Sequence, residues 1–249
     1  MEITSVSNNL VKEYTKLQQK KYRSESGKFL LEGYKAIKEA FDCGIKLEYI
    51  FVDSKNISEY DFAKDILIKT NEIVLKKLST TESAPNAVGI GIQKKYSNEA
   101  FKKLKKVILL ENIKDAGNLG TIIRSSVAFG SEGIVLYGDC VDLYNPKCVR
   151  SSVGNLWKLP IIHIEKFEDL QNIFMDFERI ATLPRSKNLL KDFKIKTPYL
   201  LMFGSEADGL SEKLSNFATN SLKIEMAETV ESLNLATSVS VILYEVMLK

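Results

Sequence analysis

The 249-residue sequence predicts an α/β protein. A C-terminal, mostly parallel sheet with helices on both faces is expected, preceded by a smaller α/β domain. Two observations carry this prediction. Apolar runs of four or five residues, such as Val107–Leu110, Gly133–Tyr137 and Tyr199–Phe203, recur along the chain and have the length of buried strands. Between them lie amphipathic stretches closed by Gly or polar residues, the alternation that parallel strands and crossover helices require.

In order, Asn8–Lys21 reads as a helix, with Leu10, Tyr14 and Leu17 at helical spacing. Phe29–Glu32 reads as a short strand, Gly33 as a turn, and Tyr34–Cys43 as a helix with Ala36, Ile37, Ala40 and Phe41 inward; Gly44 stops it. Tyr49–Val52 is a predicted buried strand, Ser58–Leu67 a helix, and Ile73–Val74 a third short strand. Ala87–Ile92 follows as a strand after the turn at Pro85-Asn86, completing a domain over residues 1–97. Residues 98–106 are lysine-rich without strand character and read as a basic linker to a second domain, 107–249.

That domain opens with strand Val107–Leu110, followed by helix Thr121–Phe129, ended at Gly130, and strand Gly133–Tyr137. A polar loop, Asp139–Lys147, leads to a helix through Arg150–Ser152. Strands are expected at Pro160–Ile164, Ile180–Leu183 and Tyr199–Phe203, the last two separated by the lysine-rich stretch Pro184–Lys196. A final strand, Ser221–Ile224, precedes a helix from Leu233 to Met247.

Composition narrows the function classes. No apolar run approaches the length of a membrane span, and Met1–Ser5 has no basic region followed by an apolar stretch, so neither membrane insertion nor a signal peptide is expected. The three cysteines, Cys43, Cys140 and Cys148, are scattered and the sole histidine is His163, which fits a reducing cytoplasm and no metal site. Neither a G-x-G-x-x-G fingerprint nor a P-loop occurs, so hydride-transfer and nucleotide-hydrolysis readings lack their phosphate cradles. The formal net charge of +3 is small, but its distribution is uneven. Lys12, Lys16, Lys20, Lys21, Arg23 and Lys28 form one cluster against Glu13 and Glu25, and Lys94, Lys95, Lys102, Lys103, Lys105 and Lys106 a second. Either could neutralise RNA phosphates or form a solvated face.

Three segments carry the chemistry, each at the end of a predicted strand, where open α/β sheets bind ligands. The first, Asn118-Leu119-Gly120-Thr121-Ile122-Ile123-Arg124, offers an amide that both donates and accepts and a guanidinium, and Gly117 and Gly120 permit a tight turn and close backbone approach. Arg124 could bind a substrate phosphate or pair with a surface carboxylate. The second, Phe203-Gly204-Ser205-Glu206-Ala207-Asp208-Gly209-Leu210, combines a ligand-wrapping glycine loop with the Glu206 carboxylate. The third, Glu231-Ser232-Leu233-Asn234-Leu235-Ala236, precedes the last helix, which Ser232 could cap.

In this order and spacing the three segments resemble the motifs of the SpoU/TrmH family of RNA ribose 2′-O-methyltransferases. Leu30-Leu31-Glu32-Gly33 and Leu78-Ser79-Thr80-Thr81-Glu82 are similar to its substrate-binding module, and Asn145–Gly154 to a further family stretch. The resemblance implies S-adenosyl-L-methionine as cofactor and a deep trefoil knot in the C-terminal domain. It implies active-site roles for Asn118, Arg124, Glu206, Ser232 and Asn234, and a cofactor pocket lined around Gly204, Ile224 and Leu233. It also implies a homodimer through the C-terminal domain and a structured RNA as partner. Large-subunit ribosomal RNA is the first expectation, transfer RNA the second, and a non-catalytic RNA-binding or ribosome-assembly protein on the same scaffold the rival. Lys16, Lys20 and Lys21 are the expected RNA contacts of the first domain. Arg150 could contact RNA or form a structural ion pair. The chain departs from the usual Ile-Pro-Met-x-Gly pattern at Glu225 and Glu228. A guanidinium stays protonated in proteins, so Arg124 would bind phosphate and stabilise a developing alkoxide rather than act as a base.

Overall fold

The computed structural model describes every residue except Glu228, Glu231, Leu248 and Lys249. The chain forms two compact units, Met1–Lys94 with Asp142–Trp157, and Lys95–Val141 with Lys158–Lys249. In chain order the first elements are α1 (Asn9–Thr15), α2 (Lys20–Ser26), β1 (Lys28–Glu32), α3 (Tyr34–Asp42), β2 (Leu47–Asp53), β3 (Leu67–Thr70), α4 (Glu72–Leu78) and β4 (Ala87–Ile92). They continue with α5 (Asn98–Phe101), β5 (Lys106–Glu111), α6 (Ala116–Ala128), β6 (Gly133–Tyr137), α7 (Pro146–Ser151), β7 (Ile161–Ile164) and α8 (Phe167–Phe174). β8 (Glu178–Thr182), β9 (Tyr199–Phe203), α9 (Glu212–Phe217), β10 (Asn220–Leu222) and α10 (Leu235–Met247) complete the chain.

The first unit holds a four-stranded mixed sheet in the order β1-β4-β2-β3. Its core gathers Val11, Tyr14, Leu30, Phe51, Val74, Leu78 and Val88. The predicted single helix Asn8–Lys21 is broken: α1 passes into a 3₁₀ turn at Lys16–Gln18, and Gln19 is extended before α2 begins. The predicted helix Ser58–Leu67 is a series of 3₁₀ turns over Ser54–Ile66, interrupted at Tyr60 and Ala63. The expected strand at Ile73–Val74 is corrected to helix α4. The Asn71 side chain accepts a hydrogen bond from the Val74 amide and starts the helix there. Helical spacing then buries Val74, Leu75 and Leu78 while Ile73 stays 69% exposed.

Asp142–Trp157, read in the sequence as part of the second domain, folds with the first unit for identifiable reasons. Phe29 packs against Tyr144 and Trp157, with ring centroids 4.8 and 5.2 Å away. Gly91 leaves room for it, because a Cβ there would stand 2.4 Å from the Phe29 ring. Arg23, counted by sequence in a basic cluster that would bind phosphates or stay solvated, does neither: it is only 2% exposed, its guanidinium lies 2.6 Å from the Asp142 carboxylate, and it donates to the Leu17 carbonyl at 2.8 Å. Lys28 is likewise taken up by Glu48 and Glu13 at 2.7 and 3.7 Å.

The second unit is built on six strands in the order β10-β8-β9-β5-β6-β7, all parallel. β9 is buried throughout and β5 from Val107 onward, which is why Tyr199–Phe203 and Val107–Leu110 read as unbroken apolar runs. Residues 98–106 form part of this unit rather than a bare linker: α5 buries Phe101 in the core with Leu109, Phe174 and Leu200. Helix α10 packs on α6 through a 2.7 Å hydrogen bond between Ser125 and Ser240 and an edge-on contact of Phe129 with Tyr244. Among the described residues no helix is long and apolar enough to cross a membrane, and no cluster of three His, Cys, Asp or Glu side chains is placed to hold a metal.

Asp142→Ala should leave the Arg23 charge buried without its carboxylate and destabilise the first unit by about 3–5 kcal/mol. Urea unfolding of the full chain measures this. Pairing the substitution with Arg23→Met should restore much of the loss; a midpoint unchanged by Asp142→Ala alone would show the pair to be unimportant.

Candidate active site at the strand ends

In a parallel sheet every strand ends on the same edge, so the loops after β5, β8, β9 and β10 share one rim. The chain passes outward through β5, β6 and β7 and returns to the opposite side for β8, which makes the β5/β9 boundary the point where strand order reverses. Ligand sites of open α/β sheets lie at such boundaries.

The loop after β5 enters α6 with Asp115 as N-cap, its carboxylate accepting from the Asn118 amide at 2.7 Å. The helix therefore begins five residues before its predicted start, and Gly117 and Gly120 lie within it rather than in a turn. Capping by Asp115 is the local signal the glycines obscured. Asn118 Nδ2 donates to Glu206 Oε1 at 2.8 Å, and Asn118 Oδ1 accepts from Asn234 Nδ2 at 3.1 Å. One amide thus joins all three sequence segments. Arg124 is exposed further along α6, and among the described residues its guanidinium has no hydrogen bond or ion pair.

Glu206 sits in a loop closed by reciprocal 3.1 Å bonds between the backbones of Ser205 and Gly209. Gly204 is required for that closure, since a Cβ on it would lie 1.9 Å from the Gly209 carbonyl carbon. Glu111, which sequence reasoning passed over, anchors the far end of the loop: only 4% exposed at the tip of β5, it accepts from the Ser211 amide at 2.7 Å. A carboxylate ending an otherwise apolar strand was the signal available for it.

Asn234 caps α10, its Oδ1 accepting from the amides of Ala236 and Thr237 at 2.9 and 3.3 Å. The cap is therefore Asn234 and not Ser232, which is exposed beside the exposed Leu233. Ile224 is half-buried after β10 and lines a cavity of about 440 Å³ with Leu190, Lys191, Glu225, Ser240 and Tyr244. Neither Gly204 nor Leu233 reaches that cavity's wall. Glu225 forms a 2.6 Å ion pair with Lys191, whereas Glu228 lies outside the described residues. His163 is bound through Nε2 to the Gly138 carbonyl at 2.7 Å, a structural role.

In the first unit, Arg150 is held by Glu32 at 3.1 Å and by the Thr80 hydroxyl at 2.5 Å. Of the two readings of Arg150, the ion pair is the arrangement present. Lys16, Lys20 and Lys21 are all exposed, with the Lys16 and Lys21 ammonium groups 5.5 and 5.9 Å from the Tyr22 ring.

Residues 105–244 match the SpoU rRNA methylase family, and residues 8–89 the MRM3-like substrate-binding domain. The chain belongs to the SpoU rRNA methylase family. An uncharacterised tRNA/rRNA methyltransferase of Synechocystis is 33% identical over 253 residues, spanning 98% of this chain and 92% of its own. The 23S rRNA (uridine(2479)-2′-O)-methyltransferase of Streptomyces viridochromogenes is 28% identical, over 90% of this chain and 83% of that protein. The AdoMet-bound rRNA methyltransferase of Sinorhizobium meliloti superposes with a TM-score of 0.90 at 28% identity, covering 99% of this chain and 97% of that one.

Asn118→Asp replaces the amide donor facing Glu206 by a second carboxylate. One of the two carboxyls should then hold its proton to higher pH in the folded state than in the unfolded chain. The folded variant binds more protons, so its deficit against the unmodified protein, about 1 kcal/mol at pH 7.5, should shrink as pH falls towards 5. Thermal unfolding of both proteins across that range reads the gap; a constant gap would mean that the carboxylates do not interact.

Proposed function

We propose that the protein transfers the methyl group of S-adenosylmethionine to the 2′-hydroxyl of a ribose in large-subunit ribosomal RNA. The observation that carries this is the Asn118 amide binding both Glu206 and Asn234, with an exposed Arg124 on the same helix. The 23S rRNA enzyme among the relatives supports ribosomal over transfer RNA.

The residues present fit the cofactor. The Gly204–Gly209 loop brings bare backbone to the sheet rim, and the apolar side chains of Ile224 and Leu233 flank the polar cluster in sequence. Bound among them, S-adenosylmethionine would supply an electrophilic methyl group. Asn118, Glu206 and Asn234 hold the loops that shape this site, so the reacting oxygen would meet a preorganised surface. Helical side chains lean towards the N-terminus, so Arg124 leans over Gly120 towards the end of α6 that carries Asn118. Its fixed positive charge would bind the substrate phosphate and stabilise the alkoxide that forms as the hydroxyl loses its proton. Glu225 does not argue for a non-catalytic protein, because its charge is answered by Lys191.

The return of α10 to α6 is what the threaded C-terminus of a knot needs. We assign the exposed Val241, Tyr244 and Met247 of α10, which are 39, 50 and 48% exposed, to the interface with a second copy. The first unit would select the RNA, with Lys16, Lys20 and Lys21 on its phosphates, and the reaction would take place in the cytoplasm.

Arg124→Ala should reduce methyl transfer at least a hundredfold, on the order of a lost transition-state donor, while calorimetry shows S-adenosylmethionine still binding. Near-normal turnover would remove Arg124 from the mechanism. Replacing Lys16, Lys20 and Lys21 by Gln should make the slope of log K for RNA against log salt shallower by about two. An unchanged slope would mean that these lysines are merely solvated.

A further inference from the structure

Apart from Leu190 and Lys191, which line the cavity beside Ile224, the lysine-rich stretch between β8 and β9 takes no part in the site described above, yet it occupies the same rim. β8 neighbours β9 directly and β10 lies one strand beyond. At about 4.8 Å per strand, the segments leaving β8 and β10 begin within roughly 10 Å of the one carrying Gly204. Residues 184–196 and 220–225 contribute six cations, Arg185, Lys187, Lys191, Lys194, Lys196 and Lys223, against the carboxylates of Asp192 and Glu225. Lys191 neutralises Glu225 at 2.6 Å. Arg185, Lys187 and Lys194 are exposed, and among the described residues their side chains have no ion pair or hydrogen bond.

The segment is also fixed in place. The Ser186 side chain, 6% exposed, bonds the Ser221 hydroxyl at 2.9 Å, and Asn188 Nδ2 donates to the Ser221 carbonyl at 2.9 Å. Main-chain bonds join Lys223 to Asn188 and Leu190 at 3.0 and 2.9 Å, which sets the Lys223 backbone alongside Asn188–Leu190. The flanking cations are thus carried on an ordered strap, and the chain spends little entropy in presenting them. Among the described residues, no large hydrophobic side chain of the strap is exposed, which disfavours an apolar protein surface or lipid as its partner.

We infer that the Arg185–Lys187 strap, with Lys223 beside it, is a second phosphodiester-binding site that grips the RNA backbone next to the target ribose. This rests on the RNA-methylating reading. It would divide RNA binding between recognition by the first unit and local clamping at the reaction rim.

The test compares the full-length protein with an Arg185→Gln/Lys187→Gln variant, and with a Lys55→Gln/Lys64→Gln control in the first unit. Each is measured for binding to an unmodified 23S rRNA transcript across a salt series, for S-adenosylmethionine binding without RNA, and for methyl incorporation. The strap variant should bind the cofactor as before and the transcript on the order of tenfold more weakly at moderate salt, its salt slope shallower by about 1.5. The control should leave the slope unchanged. Equal slopes and affinities for strap variant and unmodified protein would overturn the strap, whatever the methylation result. A shallower slope in the variant, with no methyl incorporation by the unmodified protein, would sustain the strap and sink the proposed reaction. Absence of transcript binding by the unmodified protein would sink both.

Discussion

The Asn118 side chain is the constraint on which the second unit's site depends. An amide can donate and accept at once, so a single residue can hold a carboxylate on one side and another amide on the other. Each partner is also held by contacts that do not involve the Asn118 side chain. Glu206 is placed by a loop that closes only because residue 204 has no Cβ, and whose far end is pinned by the buried Glu111. Asn234 is placed by capping α10, and α10 is placed by packing on α6, the helix that carries Asn118. The network closes on itself, so the three segments are fixed by mutual contact and not by any one strand.

Charge in this chain divides into two populations with different physics. Arg23 and Arg150 are spent on structure: the first is 2% exposed against Asp142, the second bound to the nearly buried Glu32. Removing a guanidinium from water requires a carboxylate in good geometry, and these pairs supply it. Arg124, Arg185, Lys187, Lys20 and Lys16 stay exposed, where a cation can exchange water and counterions for RNA phosphate. A linear count of basic residues mixes the two populations; only burial separates them.

The second sheet was legible because parallel strands buried on both faces leave continuous apolar runs. Gly133–Tyr137 and Tyr199–Phe203 fall where the sequence puts them. Helix starts were less legible, since they depend on side-chain caps that compete with stronger-looking cues. Two glycines suggested a turn where Asp115 had already begun α6, and two β-branched residues suggested a strand where Asn71 begins α4. The membership of Asp142–Trp157 could not be read at all. It follows from contacts made 119 residues apart, as between Arg23 and Asp142, which no local pattern encodes. The same holds for Asn118, whose partners lie 88 and 116 residues away. The segments announced which residues mattered, but the bonds between them are tertiary facts.

Glu225 shows how a departure from the family pattern can be absorbed. Proline there would fix the backbone by restricting φ. Glutamate gives no such restriction, and its ion pair with Lys191 joins two side chains that are about 60% exposed, so screening leaves it little weight. The backbone is fixed by other means. Leu190 donates to the Lys223 carbonyl and the Lys223 amide to Asn188, each within 3.0 Å, so the crossing segment is held by main-chain bonds two residues before the substitution. Residue 225 is thereby relieved of a structural duty and free to carry charge. The carboxylate there meets a strap lysine at the surface, so the substitution leaves no charge buried and asks nothing of the ion pair that the main-chain bonds do not already provide.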